Sequence, residues 1–186
     1  MRIIGLAGWS GAGKTTLLAK VLPRIVARGL TVSTLKHAHH SFDLDQPGKD
    51  SHTHRQAGAT EVLIASAHRY ALMHELRGAP EPQLHDLLQK LSPVDLVVVE
   101  GFKAARLPKL EVFRAAVGKS ALHLEDPFVV GIVSDTPFPA SGRPVVGIDD
   151  TDAVVDLMIE RAEPIEQVLA RAGVGTRSGS RVAPVV

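Results

Sequence analysis

Residues 3–7 form a short, almost wholly apolar run, the pattern of a parallel strand buried on both faces. A glycine-rich stretch follows, and from residue 14 the period changes. Leu17, Leu18, Val21, Leu22, Ile25 and Val26 recur at helical spacing, while Lys20, Arg24 and Arg28 take the opposite face. Gly29 supplies a stop, and Pro23 inside the helix predicts a bend. Residues 31–35 alternate and are β-branched, which predicts a second strand. Strand, helix, strand in this order implies a right-handed crossover. Residues 37–50 read as a polar loop, 51–56 as a short helix, and 61–65 with 69–73 as two strands joined by a tight turn. The pattern predicts a helix over 82–91, the most strongly buried strand over 94–100, further strands over 110–113 and 128–133, and helices over 151–161 and 164–172 with Thr151 as an N-cap. Residues 173–186 have no periodicity and read as a mobile tail. These elements describe an α/β chain: a mostly parallel sheet flanked by helices in three layers, one domain over residues 1–172, with neither an internal repeat nor a clear further boundary.

Composition narrows the function. A chain of 186 residues suits one domain that buries roughly 70% of its unfolded surface. The formal net charge of +1 argues against a general nucleic-acid binder, which needs a concentrated basic face. Without cysteine there are no disulfides, thiolate metal sites or cysteine nucleophiles. No stretch approaches the ~20 apolar residues of a membrane span, and the apolar run at the start is too short for a signal peptide, so a cytoplasmic protein is expected.

The glycine-rich stretch carries the strongest chemistry. Gly8, Gly13, Lys14 and Thr15 match G-x-x-x-x-G-K-[ST], with Trp9, Ser10, Gly11 and Ala12 between and Thr16 after. Backbone N–H groups of such a loop converge on phosphate oxygens, aided by the positive end of the following helix. Lys14 adds a point charge for the terminal phosphates, and the Thr15 hydroxyl is placed for Mg²⁺. A chance glycine-rich turn is the bland alternative, but the motif sits between a buried strand and an amphipathic helix, as the mechanism requires. A metal-side acid belongs at the carboxyl end of a buried strand, which points to Glu100; Asp95, roughly 16 Å away at standard rise, fits a capping or surface role better.

Residues 36–55 are the most unusual stretch. Lys36, His37, His39, His40, Asp43, Asp45, Asp50, His52, His54 and Arg55 follow the second strand, where a polar loop is placed to respond to a γ-phosphate and its metal. Asp43, Asp45 and Asp50 are candidate direct or water-mediated Mg²⁺ contacts, with Asp43 and Glu100 joining Lys14 as candidate catalytic groups. Lys36 and Arg55 are candidates for neutralising developing charge. The histidines read as solvated or phosphate-proximal donors rather than a closed zinc site, whose spacing they do not match. Lys103 and Lys109 allow either solvated surface charge or, for Lys103, an anion contact. No Asn-Lys-x-Asp guanine motif is present. Asp135, at a strand end, is a candidate guanine reader, with a turn cap as the equal alternative.

The segments GWSGAGKTT (8–16), KHAHHSFDLDQPGKDSHTHRQAGA (36–59) and EGFKAARLPKLEVFR (100–114) together resemble the adapter protein B family of molybdopterin-guanine dinucleotide biosynthesis, the MobB family, over about residues 1–160. The middle segment is the distinctive one. The resemblance implies a P-loop NTPase fold, GTP and Mg²⁺ as ligands, at most slow GTP hydrolysis, and a homodimer. Its implied partner is the guanylyltransferase that joins GMP to molybdopterin, and molybdopterin is itself a candidate ligand. Lys14 and Thr15 carry over as phosphate and metal contacts; Lys36, Asp43, Asp45, Asp50 and Glu100 carry over as the charged surround. A small-molecule kinase is the competing enzyme reading, weakened because Arg106, Arg114 and Arg143 are scattered and form no paired-arginine lid. A metal-delivery GTPase using the histidines is the third.

Overall fold

The computed structural model describes residues 1–38 and 42–172. The predicted tail over 173–186, together with His39 and His40, lies outside the described residues. The chain divides into two compact units, Ala38–Asp86 and the remainder on either side of it.

The first unit is built on a central sheet. Its strands are β1 (Arg2–Ala7), β2 (Val32–Lys36), β5 (Leu96–Glu100), β6 (Lys109–Phe113), β7 (Val129–Ser134) and β8 (Val145–Gly147), in the spatial order β2-β5-β1-β6-β7-β8. Every pairing along that order is parallel. A two-residue strand, β9 (Glu163–Pro164), pairs antiparallel with Arg2 and Ile3, the part of β1 that β6 leaves uncovered. The period-2 pattern divides the sheet faces. Ile4, Leu6, Leu96, Val98, Leu110, Val112 and Val133 share one hydrophobic cluster with Leu17, Leu18, Val21 and Ile25 of α1 (Lys14–Ala27) and Val154, Val155 and Met158 of α4 (Thr151–Arg161). Ile3, Val97, Val99 and Ile132 alternate with them and are also fully buried, so both faces are covered. That double burial is why β1 and β5 carry continuous apolar runs. The expected α/β architecture, a mostly parallel sheet flanked by helices, is the one observed.

Several boundaries move for local reasons. The N-cap of α4 is Asp150, not Thr151: the Asp150 carboxylate accepts from the Ala153 N–H at 3.1 Å, while Thr151 is buried as the first helical residue. The helix expected over 82–91 is only α3 (Leu84–Leu88). Lys90 and Leu91 donate to carbonyls three residues back, so the segment closes in tighter turns. Lys109, expected as possible surface charge, is 1% exposed. It pairs with Asp126 at 2.6 Å and donates to the Lys103 carbonyl at 2.6 Å, which satisfies its buried ammonium. Asp95 accepts from the Thr31 N–H at 2.8 Å and hydroxyl at 2.6 Å, stapling the starts of β2 and β5. The strands β8 and β9 are too short for their pattern to register.

The second unit contains α2 (Asp50–Gln56), β3 (Glu61–Ala65) and β4 (Tyr70–His74). The two strands form their own antiparallel sheet, Glu61 opposite His74 and Ala65 opposite Tyr70. Among the described residues of the whole chain, no helix is long and apolar enough to cross a membrane.

Candidate functional site

The glycine loop leaves β1 at Ala7 and enters α1 at Lys14. Gly8 sits at φ +152°, and a Cβ there would meet the Val112 carbonyl oxygen at 2.5 Å, so only glycine lets the loop turn this close to β6. Gly13, at φ +91°, is the N-cap of α1, whose first turn holds no acidic residue. Lys14 folds back over the loop and donates to the Gly8 carbonyl at 3.0 Å and the Trp9 carbonyl at 3.1 Å. Burial pushes its ammonium below the usual 10.5; Glu100 opposes that shift, and Lys103 and Lys36 add to it. Trp9 is anchored outward, its indole N–H donating to the Ser120 carbonyl at 2.8 Å, with the Lys103 ammonium 4.6 Å above its ring.

Register assembles the acidic side. Glu100, at the carboxyl end of β5, is level with Leu6 of β1 and Lys36 of β2. Its carboxylate is buried to 8% exposure, accepts from the Thr15 hydroxyl at 3.1 Å and lies 3.7 Å from the Lys36 ammonium. Gly101 and Phe102 both take positive φ directly afterwards. Four predicted residues, Lys14, Thr15, Lys36 and Glu100, are thus brought together. A hydroxyl and a carboxylate are the hard oxygen donors that Mg²⁺ selects, and the glycine backbone beside them is shaped for phosphate, so the donor set fits a Mg²⁺-nucleotide.

The other acids expected at Mg²⁺, Asp43, Asp45 and Asp50, lie in the second unit. Asp43 receives two hydrogen bonds from Arg55 at 2.8 and 2.9 Å, and Asp45, whose side chain is almost fully buried, receives two at 2.6 and 3.3 Å; Glu75 is the third acid on Arg55, at 3.3 Å. Arg55 in turn holds the Asp43 carboxyl below the ordinary carboxylate range. Asp50 opens α2, where a carboxylate suits the helix dipole. Among the described residues no group of three His, Cys, Asp or Glu side chains is arranged to hold a metal ion.

Asp135 stands one residue past β7. Its Oδ1 accepts from the Ala115 N–H at 3.0 Å, and its Oδ2 is 4.0 Å from Nη1 of Arg114, one residue past β6. Sequence reasoning gave Arg114 no role, although Phe113 and Ser134 are register partners and set the two side by side. It also missed Glu111, 1% exposed, which accepts from the backbone N–H groups of Leu122 and His123 and contacts His123 Nδ1 at 2.7 Å. An acid inside a strand of alternating apolar residues was the available signal.

A family model described as molybdopterin guanine dinucleotide synthesis protein B matches residues 3–135. The chain belongs to that family. Among relatives of this MobB family member, the molybdopterin-guanine dinucleotide biosynthesis adapter protein of Escherichia coli K12 is 38% identical over 161 residues, covering 85% of this chain and 91% of that one. The protein with the same description from Haemophilus influenzae is 35% identical over 159 residues, covering 84% and 86%. The crystal structure of Bacillus subtilis MobB superposes with a TM-score of 0.67 at 23% identity, over 88% of this chain and 99% of that one. A second MobB crystal structure gives 0.65 at 24%, over 85% and 98%. At that identity the structural likeness speaks for the fold.

Proposed function

We propose that this chain is a GTP-binding adapter of molybdopterin guanine dinucleotide biosynthesis, holding GTP with Mg²⁺ in the glycine loop and working with the guanylyltransferase that attaches GMP to molybdopterin. Membership of the MobB family supports the pathway. One observation carries the nucleotide reading: the hydroxyl of Thr15 meets the buried carboxylate of Glu100 directly beside Lys14 and the open N-terminus of α1.

Lys14, released from the Gly8 and Trp9 carbonyls, would turn to the terminal phosphates. Thr15 and Glu100 would hold Mg²⁺, which supplies charge neutralisation across the phosphates when bound. Lys36 and Lys103 add positive potential. Among the described residues no group near Lys14 stands out as a general base, in keeping with slow hydrolysis and a role exercised through a partner rather than through turnover. The hairpin β3–β4 supports a homodimer: Leu63, Tyr70 and Leu72 share one face and are 61%, 70% and 47% exposed, an apolar surface suited to a second copy. A cytoplasmic location fits this reading.

Calorimetry with Mg²⁺-GTP and Mg²⁺-ATP tests the reading: GTP binds more tightly, and single-turnover hydrolysis is slow. Rapid turnover of ATP with a small hydroxyl acceptor would replace it with a kinase.

A further inference from the structure

We propose that Arg114 is a second phosphate-binding cation of the cradle, reaching the nucleotide from β6 on the side away from the Thr15–Glu100 pair and gripping the phosphates nearer the sugar. This rests on the nucleotide reading above and deepens it.

Arg114 lies against the start of α1. A Cβ built on Gly13 would meet its Nε at 3.4 Å and its Nη2 at 3.9 Å. Together with Gly13, Thr16, Leu17, Lys20 and Ile148 it lines a narrow recess beside the loop. A guanidinium is electrostatically misplaced there, because the N-terminus of a helix is its positive end. No carboxylate in the first turn of α1 relieves it. Lys14 follows Gly13 directly in the chain, and Lys103 and Lys36 are near enough to depress its ammonium. The carboxylates nearby are Glu100, engaged by Thr15 and Lys36, Asp149, 3.7 Å from Lys20, and Asp135.

Asp135 does not saturate the guanidinium. Its Oδ1 is occupied by the Ala115 N–H, and its Oδ2 stays 4.0 Å from Nη1, beyond hydrogen-bond length. Asp135 therefore holds Arg114 beside Gly13 without engaging its donors at hydrogen-bond length. A planar fork of N–H groups beside the start of α1 suits a phosphate chain, since guanidinium binds phosphate oxygens in bidentate fashion. A polyphosphate also removes the repulsion among the gathered cations. Arg114 is side-chain exposed to 38%, enough for a ligand to reach it.

The test is calorimetry on the full chain with Mg²⁺-GTP and with Mg²⁺-tripolyphosphate, for the wild type, Arg114→Ala, Arg114→Lys and Asp135→Ala. Losing a charged hydrogen-bonding partner predicts about 10- to 100-fold weaker binding of both ligands by Arg114→Ala. Arg114→Lys recovers part of that loss, and Asp135→Ala costs less than Arg114→Ala. The melting temperature of ligand-free Arg114→Ala stays level or rises, because a misplaced cation has been removed. Unchanged binding by Arg114→Ala overturns the proposal, as does weakened GTP binding with tripolyphosphate unaffected, which puts Arg114 on the sugar or base. A fall in ligand-free melting temperature with no change in affinity marks a buttress and also overturns it. A wild type that binds neither ligand defeats the nucleotide reading and this proposal with it.

Discussion

The Thr15 hydroxyl, at the start of the first helix, donates to Oε1 of Glu100, at the end of a strand 85 residues away, across 3.1 Å. The two arrive there because β1 and β5 are parallel neighbours in a register that sets Leu6 beside Glu100. If this pair is the metal end of the cradle, its removal affects binding only when metal is present. Thr15→Ala and Glu100→Gln are expected to weaken GTP roughly 10- to 100-fold in Mg²⁺ and to change little in EDTA, as read by calorimetry in the two buffers. Equal losses in both would place these groups outside the metal site.

The Lys14 ammonium carries a burial penalty that a pH titration exposes. Its folded-state pKa lies below 10.5, so the folded protein gives up this proton more readily than the unfolded chain. The penalty is fully present when both states are protonated, and stability rises with pH between the lowered value and 10.5. Melting curves of the nucleotide-free protein against those of Lys14→Met should therefore converge as pH approaches 10.5. At neutral pH, Lys14→Met should be at least as stable as the wild type while losing most nucleotide affinity. Parallel pH profiles would contradict this.

The loop itself is sterically fixed at Gly8. Gly8→Ala drives a methyl to 2.5 Å from the Val112 carbonyl oxygen at a φ that side chains rarely adopt. A loss of about 1–3 kcal/mol in denaturant unfolding is expected, with nucleotide binding impaired in the fraction that folds. Gly11→Ala, which meets nothing within 4 Å, should cost less.

Glu111 supports the wall behind the cradle. Glu111→Leu leaves the Leu122 and His123 N–H groups without their acceptor in a buried place, an expected cost of about 2–5 kcal/mol by urea unfolding. Because Trp9 is tied to Ser120 in the same loop, nucleotide affinity should fall as well. Unchanged stability would mean the loop finds other partners.

The sheet and the turn of the glycine loop into α1 were legible because both write themselves locally: β5 is five apolar-to-acidic residues, and the glycines stand directly between a strand pattern and a helix pattern. Glu100 was legible by the same logic, an acid at the ligand end of a buried strand. Arg114 and Asp135 were harder. Each stands one residue past its own strand, and only the β6–β7 register, a long-range fact, makes them neighbours. The buried charges Lys109 and Glu111 resemble surface residues in sequence because their partners, Asp126 and His123, lie in an irregular loop without periodicity. Asp43 and Asp45 were chosen for chemistry alone, and their clamp by Arg55 is a tertiary arrangement that spacing does not announce.

The strand order has a consequence for synthesis on the ribosome. The glycine loop emerges well before its supports, because β1 and β2 are not neighbours: β5 lies between them, and every other partner of β1 comes later still. A nascent chain released before Leu96 holds two lone strands and no carboxylate for Thr15. The loop should reach its folded form only once the polypeptide has passed Val112, whose carbonyl backs Gly8, so on the proposed reading a nucleotide would act on the growing chain as a late check rather than an early template.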